Sequence, residues 1–474
     1  PGLGPKRIKL IYDKLKVTSL DELAKAAAGG RLAELPGLGA KTQAKLLAAL
    51  AARSSGPARI RLAAAEESAE ALLAYLKAGP GVRQAIVAGS YRRRKETVGD
   101  IDILVTSGKG AAVIARFAAY PQVREVLAKG PTRSTVVLES GLQVDLRVVP
   151  EESYGAALHY FTGSKDHNIA LRRLAQAKGL KINEYGVFRG AKRIAGRSEE
   201  ELYALFKLPY IAPELRENRG EIEAARAGKL PRLVALADIR GDLHVHTKAS
   251  DGNATIAELA TAAKVLGYAY LAISDHSRRL TVAHGLDAKR LGRQIDEIER
   301  LNATLKGLRL LKAVEVDILE DGSLDLPDGI LAKLDFAIGA VHSHFELSAM
   351  RQTERIIRAM DNRNLAIAAH PTGRLIGARE PYAVDMERLV TAAKERGCFF
   401  EINAQPERLD LGDSHARLAK EAGVKLAIDT DAHSVRQLDF MRFGLDVARR
   451  GWLERKDVLN ARPWDELRRL LKRQ

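Results

Sequence analysis

The chain has 474 residues, which exceeds the size of a single hydrophobic core and predicts about three domains. Hydrophobic residues make up 46% of it, which excludes an intrinsically disordered chain. The single cysteine, Cys398, excludes a disulfide framework and fits a reducing cytoplasm, and no apolar run is long enough to span a bilayer.

Charge and histidine are distributed unevenly along the sequence. Residues 1–235 carry 39 Lys plus Arg against 24 Asp plus Glu, whereas residues 236–474 carry 37 against 36. Almost all of the net charge of +16 therefore lies in the first half, where we expect a polyanion to bind. Nine of the 11 histidines follow residue 240, so the two halves are expected to perform different chemistry.

The first 52 residues contain a near-repeat: PGLGPKRIKLIYDKL at 1–15 and LPGLGAKTQAKLLAAL at 35–50. Each copy is a Gly-x-Gly turn that opens onto an amphipathic helix with an early basic residue, an arrangement that favours a bound phosphate. Two plain helical hairpins with glycine turns would also explain the repeat. The pair resembles tandem helix-hairpin-helix motifs, which bind a DNA backbone without reading sequence. This resemblance implies DNA contacts at Gly2, Gly4, Lys6, Gly37, Gly39 and Lys41.

The segment QAIVAGSYRRRKETVGDIDILVT, residues 84–106, predicts two strands around a basic turn, preceded by a helix over 58–78. Alternation of polar and apolar residues places Asp100 and Asp102 on one face of the second strand. Two carboxylates so close repel each other, and one keeps a proton unless a cation neutralises the pair. An edge strand with a solvated face is the alternative explanation.

Residues near these acids favour a bound cation. Gly89 lets a ligand approach the backbone, and Ser90 and Arg93 suit a phosphate. A third acid, Asp145, lies in the apolar run GLQVDLRVV. Three carboxylates on neighbouring strands beside a phosphate-binding turn are what two-metal phosphoryl transfer requires.

The Gly-Ser turn, the Asp-x-Asp strand, Asp145 and the segments YFTGS and NEYGVF together resemble the polymerase core of family X DNA polymerases, over residues 1 to about 230. The resemblance implies that Asp100, Asp102 and Asp145 bind catalytic Mg²⁺ or Mn²⁺. It implies a nucleotide site formed by Gly89, Ser90, Arg93, Tyr160, Phe161, Gly163, Asn168 and Arg172. Core packing of Tyr160 and Phe161, and a solvated Arg172, stay open as alternatives. Arg94 departs from the animal enzymes of this family, which carry Gly there.

After residue 240 one pattern recurs, in which an apolar strand ends in His, Asp or Glu. It begins with GDLHVHTKASDG and continues through YAYLAISDH, LLKAVEVDIL, FAIGAVHSH, LAIAAHPTG and KLAIDTDAH, with helical segments such as 255–266 and 385–396 between. Parallel strands that alternate with helices close into a barrel, and their C-terminal ends converge at one mouth. One His-x-His alone would be a structural pair, but the repetition favours a cluster of Mn²⁺, Fe or Zn²⁺.

The pattern resembles the PHP (polymerase and histidinol phosphatase) domain over residues 240 to about 440. The resemblance implies up to three ions held by His244, His246, Asp251, His276, Glu315, His342, His370, Asp431 and His433. Some relatives use a histidine one position after Asp251, where this chain has Gly252. Asp275 and His344 are expected to lie outside the ligand set, and Arg374 either meets a phosphate near the cluster or is a surface residue.

The expected architecture is multidomain α+β and α/β. It comprises helix-hairpin-helix fingers over 1–82, a beta-like nucleotidyltransferase palm over 83–160, a thumb over 161–230, a linker over 231–240 and a distorted (β/α) barrel PHP domain over 241–474.

The combined resemblance implies a DNA-directed DNA polymerase that fills gaps in DNA repair. A PHP-domain 3′-5′ exonuclease accompanies it, with cleavage at abasic sites as a further expected activity. The expected partners are gapped or primer-template DNA and deoxynucleoside triphosphates, with no membrane contact, for a monomer in the cytoplasm and nucleoid. Three alternatives stay open: a polymerase with an inactive, structural PHP domain; a small-molecule phosphoesterase with a DNA-binding N-terminal half; and a non-enzymatic DNA clamp.

Overall fold

The computed structural model describes residues 5–17, 20–36, 38–39, 42–43, 46–47 and 59–472, and the chain divides into two compact units, 1–60 and 61–474. The helices of the described residues, numbered α1 to α17, are Pro5–Leu15, Leu20–Ala28, Leu62–Lys77, Gly89–Arg92, Gly110–Ala118, Tyr154–Thr162, Lys165–Gln176, Glu199–Ala204, Glu221–Arg226, Ile256–Val265, Ala288–Thr304, Asp328–Leu331, Ala349–Met360, Met386–Arg396, Asp413–Ala422, Met441–Arg450 and Trp464–Leu471. The strands, numbered β1 to β18, are Ile60–Arg61, Val82–Val87, Thr97–Val98, Asp100–Ser107, Val123–Lys129, Arg133–Leu138, Gln143–Val149, Lys181–Asn183, Gly186–Arg189, Lys192–Ala195, Gly241–Asp242, Tyr270–Ile273, Arg309–Lys312, Glu315–Asp317, Ala337–Ala340, Leu365–Ala368, Phe399–Asn403 and Leu426–Asp429. Among the described residues, no helix is both long and apolar enough to cross a membrane.

The described part of the first unit is helical. Helix α1 spans most of the first copy of the repeat, and α2 follows it. They contribute to a small core, whose fully or nearly buried members are Ile11, Leu23, Ala26, Ala27, Leu32, Leu38 and Leu46. In the second copy, the carbonyl of Gly39 accepts the N–H groups of Thr42 and Gln43, as at the start of a helical turn.

A five-stranded sheet forms the centre of the palm, in the order β2-β4-β7-β6-β5. Strands β4 and β7 pair in parallel and the other neighbours pair antiparallel. The inner strand β4 is almost completely buried after its first three residues, which explains its run of Ile, Leu and Val. Helix α3 packs beside β2, and the first part of the predicted helix, before residue 59, lies outside the described residues.

The segment after the palm packs closely onto the second half of the chain. Helices α6 to α9 and the antiparallel sheet β10-β9-β8 surround an apolar core that also includes Trp452. The charged stretch 212–233 contains helix α9, whose Ile222 and Ala225 pack into this core. Farther on, Val234 donates its N–H to the carbonyl of Leu453 at 3.0 Å.

The last part of the chain is an all-parallel barrel of β11 to β18 with helices between the strands. Its ladders form two groups, β11-β12-β13 and β14-β15-β16-β17-β18. Isolated parallel bridges join the groups at both seams, His276 with Glu315 and Val245 with Ala432. The parallel strands alternating with helices that the sequence predicts are confirmed, but the described strands form two sheets joined by single bridges rather than one closed barrel ladder.

The C-terminal helix α17 lies at the N-terminal ends of these strands. Trp464, Leu467 and Leu471 pack into the barrel core, and the Tyr270 hydroxyl, at the start of β12, donates to the Arg462 carbonyl at 2.9 Å. This packing covers one end of the barrel and leaves the strands' C-terminal ends for the polar side chains.

Candidate active sites

The three palm aspartates lie on one face of the sheet. Strand β4 pairs in parallel with β7, and the register places Asp102 directly opposite Asp145. Asp100 shares the face of Asp102 because it precedes it by two residues. Side-chain alternation along β4 and the register between β4 and β7 together bring these three carboxylates close to one another.

Asp102 is the most perturbed of the three. Burial, followed by the charges of Asp100 and Asp145, raises the pKa of its carboxyl to about 7, against the opposing effect of Arg147 and Arg93. A Cβ at Gly89, whose φ is +63°, would lie 2.5 Å from Asp102 Oδ2. The turn backbone therefore approaches this carboxylate closely, and only glycine fits there.

Asp145 is held by neighbours that the sequence analysis did not identify. The Thr135 hydroxyl donates to Oδ1 at 2.6 Å, and the Gln143 amide donates to Oδ2 at 2.9 Å. Arg133 lies 3.3 Å from Oδ1. These donors orient the carboxylate, and their positions depend on cross-strand register that no local motif reveals.

Four of the residues predicted to face the nucleotide, Tyr160, Phe161, Asn168 and Arg172, contact one another. The rings of Tyr160 and Phe161 are half-buried and meet edge to face at 5.1 Å, with the Arg172 guanidinium 5.3 Å from the Tyr160 ring centre. Asn168 donates to the Tyr160 carbonyl at 2.8 Å. Its buried Oδ1 has no hydrogen-bond partner among the described residues, so it is available to a ligand donor.

The basic turn connects the palm to later segments. The Arg93 Nε donates to Glu217 at 3.0 Å, and a Cβ at Gly163 would lie 3.2 Å from its guanidinium. Ser90 is half-buried in the short helix α4. Arg94 has a φ of 55° and lies 2.7 Å from Asp446 of α16, so the residue that departs from the family pattern contacts the barrel half.

The described residues include only some of the predicted DNA contacts. Gly2, Gly4, Gly37 and Lys41 lie outside the described residues. Lys6 belongs to α1, but its side chain is not described, and Gly39 has open space around its Cα.

All nine predicted barrel ligands converge at the C-terminal ends of the strands. Three groups of side chains have ligand atoms within 4.8 Å of one another, among the described residues. The groups are His246, Asp251, His276 and His433; His244, His246 and Asp431; and His276, Glu315 and His342. His370 joins them, because its Nε2 lies 2.9 Å from Glu315 Oε1.

Two carboxylates connect the groups. Asp431 Oδ1 lies 2.9 Å from His246 Nε2 and 3.6 Å from His244 Nε2. Glu315 Oε2 lies 2.6 Å from His276 Nδ1. Mixed imidazole and carboxylate donors at these separations suit a cluster of borderline divalent metals.

Unsatisfied atoms support the fit of metal ions to this cluster. The His246 and His370 Nδ1 atoms are buried without a hydrogen-bond partner within the described ranges. His370 and Asp431 also have positive φ values of 27° and 50°, a strained backbone that is common at functional sites. Buried polar atoms that lack a protein partner are expected where an ion completes the site.

The charges of the cluster are strongly coupled. Burial disfavours the charged ring of His276, but the Glu315 carboxylate raises its pKa to about 10. His342 behaves in the same way, with its pKa raised to about 9 against burial by Glu315. Metal binding must therefore displace protons from these rings.

Sequence reasoning missed the residues that orient the ligands. Glu401 Oε1 lies 2.6 Å from His244 Nδ1, and Asp317 Oδ1 lies 3.1 Å from His342 Nδ1. Asn403 donates to Asp431 Oδ2 at 3.0 Å. The signal was present as acids and an amide within the buried strands EVD and FFEIN.

Residues near the ligand set lie as follows. Asp251 Oδ2 is 3.4 Å from both His276 and His433, whereas a Cβ at Gly252 would lie 2.4 Å from the His246 carbonyl oxygen. A histidine at position 252 would therefore not fit this loop.

Three residues that the sequence left outside the ligand set have other partners. Asp275 accepts hydrogen bonds from Thr247, Ser250 and Gln294, and His344 lies beside Glu320 and Glu346. Arg374 pairs with Glu96 of the palm at 2.7 Å.

A palm sheet with three facing aspartates, followed by a barrel lined with histidines, defines a class of metal-dependent phosphoryl-transfer proteins with two separate sites. Family models match four consecutive segments: SAM-like helix-hairpin-helix tandem at 1–52, DNA polymerase beta palm at 61–156, DNA polymerase beta thumb at 157–217 and PHP domain at 242–405. The chain belongs to the PolX family of bacterial family X DNA polymerases that carry a PHP domain.

Three relatives show how this similarity is distributed. The chain is 41% identical over 477 residues to DNA polymerase/3′-5′ exonuclease PolX of Bacillus subtilis. The alignment covers 100% of this chain and 83% of that protein. A probable phosphatase of Thermoanaerobacter is 35% identical over 46% of this chain and 89% of its own length. DNA polymerase lambda of Rattus norvegicus is 29% identical over 28% of each chain.

Proposed function

We propose that this chain is a DNA-directed DNA polymerase that fills gaps during DNA repair, with a 3′-5′ exonuclease in its PHP domain. Synthesis is assigned to Asp100, Asp102 and Asp145. Degradation from the 3′ end, and cleavage at abasic sites, are assigned to the nine barrel ligands. The observation that carries the proposal is that both complete sets of side chains converge in one chain, each at its own site.

Each palm residue has a role that its surroundings support. The buried Asp102, with its raised pKa, is a carboxylate that a cation would neutralise, and the donors around Asp145 hold it ready for a cation. Bound divalent cations would lower the pKa of an attacking hydroxyl and neutralise charge on the leaving group. Mg²⁺ or Mn²⁺ suits these oxygen ligands.

The incoming nucleotide is assigned to the turn and to the aromatic pair. Gly89, Ser90 and Arg93 would contact the triphosphate, and the unpartnered Asn168 Oδ1 would accept a hydrogen bond near the nascent base pair. Tyr160, Phe161, Gly163 and Arg172 would line the sugar and base. The half-buried Tyr160 ring suits this role, whereas Phe161 also packs against the buried cluster of Ala88, Leu104, Val149, Ala157 and Leu158.

In the barrel, the ligands would hold up to three ions of Mn²⁺, Zn²⁺ or Fe. Glu401 and Asp317 keep the rings of His244 and His342 in one orientation and one tautomer. A small-molecule phosphoesterase would use the barrel, but it leaves the basic first half and the palm aspartates without a role.

Further features of the proposal follow from composition and sequence. The domains are 1–82, 83–160, 161–230, a linker at 231–240, and 241–474. The substrates are gapped or primer-template DNA and deoxynucleoside triphosphates, and the helix-hairpin-helix glycines and lysines contact the DNA backbone. We place the monomer in the cytoplasm, at the nucleoid, because it has one buried cysteine and a strongly basic first half.

The experiment is nucleotide incorporation on a one-nucleotide gap with the Asp145→Ala variant. Loss of a catalytic metal ligand should reduce incorporation about a thousandfold or more, whereas DNA binding should persist. The control is Glu125→Ala, an exposed residue on β5 of the same sheet, which should behave as wild type. A wild-type incorporation rate for Asp145→Ala would defeat the assignment.

A further inference from the structure

A cavity of about 230 Å³ lies between the palm and the barrel half. Its walls come from the basic turn 94–96, from Thr372 and Arg374 after β16, from the start of α15 and from the end of α16. None of the palm aspartates or proposed barrel ligands is part of this lining. The cavity is therefore a feature separate from both active sites.

The cavity has an excess of positive charge. Its lining contains four cationic side chains, Arg94, Lys95, Arg374 and Arg450, against two acidic ones, Glu96 and Asp413. Burial lowers the pKa of His415 in the same lining, so this ring is neutral at pH 7 and leaves the balance unchanged. A cleft lined by an excess of cationic side chains attracts an anion.

Lys95 is the cation that lacks an acidic partner. Arg94, Arg374 and Arg450 each form an ion pair at 2.7 Å, with Asp446, Glu96 and Asp413 respectively. In the described part of the chain, the Lys95 ammonium forms no ion pair or hydrogen bond. Burial lowers its pKa and the neighbouring Arg450 lowers it further, against the opposing charges of Glu217 and Asp413, which lie beyond ion-pair distance. An anion in the cavity would relieve this unfavourable environment.

Two further groups of donors face the same space. The Thr372 side chain is 4% exposed, and its hydroxyl lies beside the buried Asp410 carboxylate without forming a hydrogen bond of good geometry within the described residues. Helix α15 has ten residues and begins at the cavity with Gly412, which supplies no capping side chain. Ser414 and His415, in the first turn of this helix, line the cavity. The first-turn N–H groups and the positive end of the helix dipole therefore face it.

We propose that this cavity binds a phosphate group, carried by a DNA strand or by a free nucleotide. An ammonium, a hydroxyl and the N–H groups of a helix N-terminus are the donors that phosphate oxygens accept. The site binds without doing chemistry, since it contains neither palm aspartates nor barrel ligands. It goes beyond the proposed function, and its test uses neither synthesis nor degradation.

The test is acylation of Lys95 in the full-length, metal-loaded protein near pH 8, with peptide mass spectrometry as the readout. Inorganic phosphate is the first probe, with chloride at equal ionic strength as the control. At phosphate about nine times above its Kd, Lys95 should react about tenfold more slowly, because about a tenth of the sites stay free. Lys77, which is exposed at the end of α3, should react at an unchanged rate.

A matched variant tests the geometry. Thr372→Val keeps the side-chain volume and removes the hydroxyl, and the backbone N–H of residue 372 still donates to Asp410, so the fold should persist. The phosphate concentration that gives half protection should rise about tenfold, as expected for loss of a hydrogen bond to a charged group. An unchanged half-protecting concentration would overturn the site as described.

Two other probes identify the source of the phosphate. Protection of Lys95 by micromolar gapped duplex indicates a strand phosphate, whereas protection by deoxyadenosine monophosphate but not by the duplex indicates a free nucleotide. Equal protection by chloride and phosphate, or no protection by any probe, would overturn the proposal.

Discussion

Magnesium binding at the palm should depend on pH because the Asp102 carboxyl is expected to be partly protonated near neutral pH. Its carboxyl pKa is raised to about 7 by burial and by Asp100 and Asp145. A cation binds only the ionised carboxylate, so each bound ion must displace this proton at low pH. The affinity should therefore rise with pH up to about 7 and be level above it.

The size of the effect follows from that pKa. Below pH 7 the affinity should fall about tenfold per pH unit, since one proton competes with the ion. A group with a pKa of about 7 is about 0.9 protonated at pH 6 and about 0.1 protonated at pH 8. Binding of one ion should thus release about 0.9 proton at pH 6 and about 0.1 at pH 8.

The assay is calorimetric titration of Mg²⁺ into the full-length protein without DNA, after the barrel site has been loaded with its metal. Titrations in two buffers with different ionisation enthalpies give the number of protons released. Asp102→Asn should abolish the pH-dependent release. Glu125→Gln, which changes an exposed carboxylate on the same sheet, should leave it unchanged.

Equal proton release at pH 6 and pH 8 would refute the reasoning. An affinity that stays constant between pH 5.5 and pH 7 would refute it as well. Either result would mean that Asp102 is already ionised in the protein without its cation, and that burial does not control this carboxylate.

The remaining predictions concern the barrel and DNA binding. His433→Ala should abolish degradation of a labelled gapped duplex in Mn²⁺ but leave gap filling intact, because the palm aspartates are unchanged; loss of both activities would argue against two independent sites. Glu401→Gln should weaken barrel metal affinity about 10–100-fold by releasing the His244 ring, as measured by metal content after chelator competition; unchanged content would contradict the orienting role. DNA affinity, measured by fluorescence anisotropy, should fall steeply with salt, with a slope of about −0.9 per phosphate contacted, and vary little with sequence; a flat salt response would contradict the charge argument.

Some features of both sites were determined by the sequence alone. Alternation within GDIDILVT placed Asp100 and Asp102 on one face, and the recurring polar residues at strand ends identified the side chains that converge at the barrel mouth. Both signals are local, because side chains alternate along one strand and parallel strands end at one edge. The family resemblance rested on motifs of this local kind.

The tertiary structure decided what those motifs meet. The register of β4 and β7 placed Asp145 opposite Asp102, and Glu401 reaches His244 across 157 residues of sequence. Arg374, left open between a phosphate ligand and a surface residue, pairs with Glu96 of the palm, and Lys95 lies half-buried in the cavity beside them. These positions depend on which distant segments pack together, and burial, register and charge partners are properties of that packing rather than of any local pattern.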